Sequence, residues 1–124
     1  MLGQSGCRLS FPCATVYLDP YLSNSVQVLD APDLERQLPI LLPPEKVTDA
    51  DIVLITHAHI DHCDPHTLPW LAQASSQARF VGPASVLNKL TEWGIDCARL
   101  TLASEDSLEL AANLRCLLYT SRCV

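Results

Sequence analysis

The sequence predicts a mixed α/β protein in which a sheet is covered by helices. Three observations carry this. Ile52-Val53-Leu54-Ile55 is an unbroken aliphatic run of strand length, as expected for a strand buried on both faces. Two later segments place apolar residues at helical spacing: Leu68, Leu71 and Ala72, then Val86, Leu87, Leu90 and Trp93. Short β-type runs bounded by Pro and Gly alternate with them, the pattern of a layered α/β architecture.

The elements follow in chain order. Residues 8–11 and 14–18 read as two short strands around Pro12-Cys13, and Asp19-Pro20 ends the second. Residues 22–46 hold Pro32, Pro39, Pro43 and Pro44 and read as a long loop, with at most a helical turn over 31–38. Residues 51–56 are the clearest strand. Asp64 suits a helix N-cap and Pro65 the first helical position. Residues 79–81 form a strand closed by Gly82-Pro83. The helix through Trp93 ends at Gly94, where a C-terminal cap belongs. Residues 100–102, 107–110 and 114–118 are further strands.

Composition narrows the function. The 124 residues suffice for one domain, and 48 % of them are apolar, enough for a packed core. Eight Lys+Arg against fourteen Asp+Glu leave a net charge of −6. Without a basic stripe, such a chain is a poor candidate for binding nucleic acid or an anionic membrane. No apolar run approaches the roughly 20 residues of a membrane span, and the N-terminus lacks a secretion signal. The six cysteines show no C-x-x-C spacing, which fits scattered reduced thiols in a cytoplasmic protein.

The chemistry concentrates in Ile55-Thr56-His57-Ala58-His59-Ile60-Asp61-His62, where three of the four histidines and a carboxylate fall within six residues. On an extended backbone His57, His59 and Asp61 share one side, and His62 joins them if the chain turns. Imidazole and carboxylate are ligands that Zn²⁺, Mn²⁺ or Fe accept. The cluster follows the buried strand, where α/β proteins hold ligands. The next helix should begin nearby and favour an anionic substrate group. A run of surface histidines without a metal is the alternative. His66 reads as exposed or capping. Cys63 reads as a packing residue, with soft-metal ligation as the alternative.

The segment Thr56 to His62 resembles the H-x-H-x-D-H signature of the metallo-β-lactamase superfamily. Residues 2–6, 18–26 and 78–83 resemble the L-ascorbate-6-phosphate lactonase branch of these metal-dependent hydrolases. The resemblance implies an αββα sandwich, of which this chain supplies the N-terminal half. It implies His57 and His59 on a first divalent ion (Zn²⁺ or Mn²⁺). Asp61 and His62 bind a second where one is present, and Asp61 also orients the attacking water. Asp19 corresponds to an acidic residue that braces the metal loops, although a turn residue before Pro20 is an equal reading. Tyr21 and Asn24 are placed at the substrate pocket.

The implied activity is hydrolysis of a lactone, ester or phosphoester bond by a metal-activated hydroxide. The substrate is a small molecule, sugar-like and phosphorylated on the lactonase pattern. Arg8, Lys46, Arg79 and Lys89 are unassigned candidates for holding a phosphate, and a homo-oligomer stays open. Family members carry a further histidine, an aspartate and a final histidine, but this chain has no histidine after His66. Residues 1–115 thus read as a partial domain. Residues 116–124 read as a tail unlike the family: a frame artefact at the end of a partial gene, or a divergent terminal strand. The alternatives are an inert metal-binding fragment, or a phosphodiesterase or nuclease on the same fold.

Overall fold

A computed structural model describes residues 1–104 and 107–116. Seven strands and two α-helices follow in the order β1 (Cys7–Ser10), β2 (Thr15–Leu18), β3 (Ile52–Leu54), α1 (Leu68–Ala74), β4 (Arg79–Gly82), α2 (Ala84–Glu92), β5 (Leu100–Leu102), β6 (Leu108–Ala111) and β7 (Leu114–Cys116). Five strands form one sheet in the order β1-β2-β3-β4-β5. β1 pairs antiparallel with β2, and the other neighbours run parallel. β6 and β7 form a separate antiparallel hairpin.

Alternation along the strands sorts the side chains into two cores. Tyr17, Val53 and Phe80 share one face with Leu68, Leu71 and Ala72 of α1 and Val86 and Leu90 of α2. Val16, Ile52 and Val81 share the other face with Leu110 of the hairpin, joined by Leu54, Leu108 and Leu114. The expected burial of β3 on both faces is thus observed, and the mixed α/β class with it. Gly82 ends β4 where a Cβ would lie 3.0 Å from the Ile55 carbonyl oxygen and from Val86 Cγ1. The bare backbone lets α2 close on the sheet.

Several boundaries differ from the sequence reading. β1 starts at Cys7 and ends before Phe11. The helical turn of the long loop lies at Val26–Asp30, not over 31–38, because Pro32 stops it from the C-terminal side. α1 begins at Leu68 rather than Pro65. Asp64 instead closes a tight turn, its main-chain carbonyl accepting from the Thr67 and Leu68 amides at 3.2 and 3.0 Å. The expected apolar face of α1 and the cap of α2 hold: Gly94 has φ +84°. The expected strand over 114–118 is described through Cys116, paired with Leu108, and residues 117–124 lie outside the described residues. Among the described residues, no helix is long and apolar enough to cross a membrane.

Candidate metal centre

The parallel register of β2 and β3 builds this site. Leu18 lies opposite Leu54, and the Asp19 amide donates to the Leu54 carbonyl at 2.8 Å. Asp19 therefore emerges beside Thr56, both at the carboxyl ends of adjacent strands. Asp19 is buried, with φ 43°, a left-handed backbone that aspartate tolerates better than most residues. Its Oδ1 accepts from the Thr56 amide at 2.8 Å. Its Oδ2 lies 2.7 Å from the Thr56 hydroxyl and 2.8 Å from His62 Nδ1. Asp19 thus contacts both Thr56 and His62 at the two ends of the histidine segment.

The histidine segment is a turn, not an extended strand. The amides of His62 and Cys63 both donate to the His59 carbonyl, at 2.9 and 2.7 Å. This folds His62 back onto His57, with ring centroids 4.0 Å apart. His59 meets His57 edge-on at 4.6 Å. Asp61 is half-exposed, its Oδ2 3.5 Å from His62 Nε2. His57, His59, Asp61 and His62 thus lie along one turn, in pairwise proximity of His57 to His59, His57 to His62 and Asp61 to His62. Burial, then the charges of His62 and His59, holds the His57 pKa below the usual histidine value.

The donor types suit Zn²⁺ or Mn²⁺. His57 and His62 each engage Nδ1 with a neighbour, Thr56 and Asp19, which leaves Nε2 for an ion. The spread is narrower than an ion needs. Two imidazoles sharing a tetrahedral zinc keep their centroids roughly 5 Å apart, whereas these rings lean on one another. Among the described residues, no three His, Cys, Asp or Glu side chains are arranged to hold one ion together.

A cavity of about 490 Å³ beside the cluster is lined by Leu29, Asp30, His59, Ile60 and Asp61. Tyr21 is instead buried, its hydroxyl accepting from the Val26 amide at 3.2 Å under the Arg36 guanidinium. Asn24 lines a separate cavity of about 260 Å³ with Arg36 and Ile40. The basic candidates are mostly engaged elsewhere. Arg8 pairs with Asp49, Arg79 donates to the Leu110 carbonyl and Lys89 to the Ala58 carbonyl. At the turn before α1 the Asp64 carboxylate takes the His66 amide at 2.9 Å, a donor that a bound anion would otherwise use.

Sequence reasoning gave no role to Thr56 or Thr67 and did not join Ser23 to Asp64, which it read as a helix N-cap. Ser23 Oγ donates to Asp64 Oδ2 at 2.6 Å, and the Thr67 hydroxyl donates to the same oxygen while accepting the Leu22 amide at 2.9 Å. This set ties residues 22–25 to the turn after His62. Only Thr56 carried a local signal, a hydroxyl directly before the motif. His66 is exposed and its amide serves the Asp64 turn.

Cys63 is fully buried among the core residues, and burial pushes its thiol up to about 11. At pH 8 roughly a thousandth is thiolate. In the folded protein, iodoacetamide is expected to label the exposed Cys13 and Cys97 first and Cys63 only after unfolding. Peptide mapping by mass spectrometry reads this, and equal labelling of Cys63 and Cys13 contradicts the packing role.

No curated protein matches the chain. The model of a family described as a beta-lactamase superfamily domain matches residues 14–117, from the start of β2 through the end of the hairpin. That span contains the layered α/β core, the brace at Asp19 and the gathered histidine turn, and by this match the chain belongs to the β-lactamase superfamily.

Proposed function

We propose that the chain carries the ion-holding face of a metal-dependent hydrolase, with His57, His59, Asp61 and His62 as donors to one or two divalent ions, Zn²⁺ or Mn²⁺. The observation that supports this reading is the placement of three imidazoles and one carboxylate along one turn, with two of the imidazoles engaged at Nδ1. When bound, such an ion supplies Lewis acidity and a more acidic water. The chain's own residues do the rest. Asp61 stands at the cavity wall, half-exposed, where a carboxylate can take and return a proton. Leu29 and Ile60 give the same cavity apolar walls that hold the uncharged part of a small substrate.

Lactone, ester and phosphoester bonds all suit this chemistry. The resemblance to ascorbate-phosphate lactonases supports a lactone. The lining, with Asp30 and Asp61 and neither Lys nor Arg, favours a neutral reacting group over a phosphate held by side chains. A second reading, metal binding without turnover, draws support from the close-leaning rings.

The test is zinc titration by calorimetry, paired with hydrolysis of lactone, ester and phosphodiester probes with and without EDTA. Wild type is expected to bind zinc, and His57→Ala/His59→Ala to lose binding to below detection. Unchanged binding in the double variant sinks the donor assignment. EDTA-insensitive hydrolysis sinks the metal-dependent mechanism, and zinc binding with no turnover on any probe favours the second reading.

A further inference from the structure

We infer that Thr56 is a positioning residue whose hydroxyl carries the hold of the Asp19 carboxylate across to His57, so that one carboxylate fixes the tautomer of two imidazoles. The inference rests on the metal-binding reading above for its purpose, but its geometry stands alone.

A carboxylate only accepts, and a threonine hydroxyl has one hydrogen to give. Thr56 Oγ1 lies 2.7 Å from Asp19 Oδ2 and 2.8 Å from His57 Nδ1. Its hydrogen goes to the carboxylate, so its oxygen accepts, and His57 Nδ1 must carry the donated proton. His62 Nδ1 lies 2.8 Å from the same Oδ2 and is likewise the protonated nitrogen. Asp61 competes for His62 from the other side, but at 3.5 Å from Nε2 and half-exposed it is the weaker partner. Both rings therefore present an unprotonated Nε2. A metal-binding imidazole needs that lone pair, and its second-ring partner commonly sets it.

The arrangement is economical because Asp19 is anchored before it meets either ring. Its amide is held by the Leu54 carbonyl and its Oδ1 by the Thr56 amide. A swing of the carboxylate toward one histidine would give up the Thr56 amide. His59 makes no such side-chain bond among the described residues, which makes it an internal control.

The experiment is long-range ¹H–¹⁵N correlation of the imidazoles in the ¹⁵N-labelled, metal-free chain, followed by zinc competition with a chromophoric chelator. In wild type, His57 and His62 are expected as Nδ1–H tautomers, with His59 mixed. Thr56→Val should release His57 alone and weaken zinc binding about 10–100-fold, and Thr56→Ser should restore both. A wild-type His57 protonated on Nε2 overturns the inference without need of any variant, as does a Thr56→Val chain whose His57 tautomer is unchanged. Zinc affinity indifferent to Thr56→Val overturns the positioning role and leaves the metal reading intact. Expected tautomers with no zinc binding in wild type overturn the metal reading and leave the hydrogen-bond relay standing.

Discussion

Asp19→Ala is expected to lower stability by about 3–5 kcal/mol, a large part of the roughly 5–15 kcal/mol that holds a domain folded. The substitution removes the acceptor for the Thr56 amide, the Thr56 hydroxyl and His62 Nδ1 together. A donor left without a partner in a buried setting costs about 1–3 kcal/mol. Thr56 is exposed enough for water to recover part of this. The left-handed backbone at φ 43° adds about 1 kcal/mol for alanine. Asp19→Asn should lose less, because asparagine accepts that backbone and keeps one oxygen. Urea unfolding followed by circular dichroism measures both. A loss under about 1 kcal/mol for alanine means that the carboxylate is not what holds the turn.

The second large effect is expected at Asp64, which is fully buried and accepts from Ser23 Oγ, Thr67 Oγ1 and the His66 amide. Asp64→Ala should cost about 2–4 kcal/mol and detach residues 22–25 from the turn after His62. The segment beyond them exposes Val28, Leu29, Leu34, Leu38 and Leu41. Limited proteolysis should therefore cut there faster in the variant than in wild type. If global stability falls with no gain in cleavage, Asp64 serves α1 alone and the tie to the loop is wrong.

The parts of the fold that were readable are those where a local pattern decides. β3 declared itself by four consecutive aliphatics, and the faces of α1 and α2 by helical spacing. The candidate quartet stood out because its members are neighbours in sequence. What escaped depends on pairings across the chain. Asp64 looked like a helix cap, but its buried carboxylate is spent on Ser23, 41 residues earlier, and the helix starts late. Arg99 reaches the carbonyls of Ala72, Ser75 and Ala78 around the end of α1, a capping role no nearby residue announces. Arg36 donates to the carbonyls of Leu2, Leu38, Tyr21 and Ser23, which is why Tyr21 ends beneath it and away from the cavity. The Tyr17 hydroxyl donates to Asp49 at 2.8 Å, and burial followed by this bond pushes its pKa up to about 12. Most of these contacts join segments far apart in the sequence.

The same dependence bears on the order in which the molecule assembles. His57 through His62 lie within one turn and can meet at almost any stage of folding. Their brace, Asp19, lies 43 residues before His62 and arrives only when β2 and β3 lie side by side. Closing a loop of that length carries an entropic cost that local contacts escape. In a nascent chain these side chains are close in sequence but unbraced. Their braced arrangement exists only after the parallel ladder has formed, so on the proposed metal reading any discrimination among ions would be a property of the finished sheet.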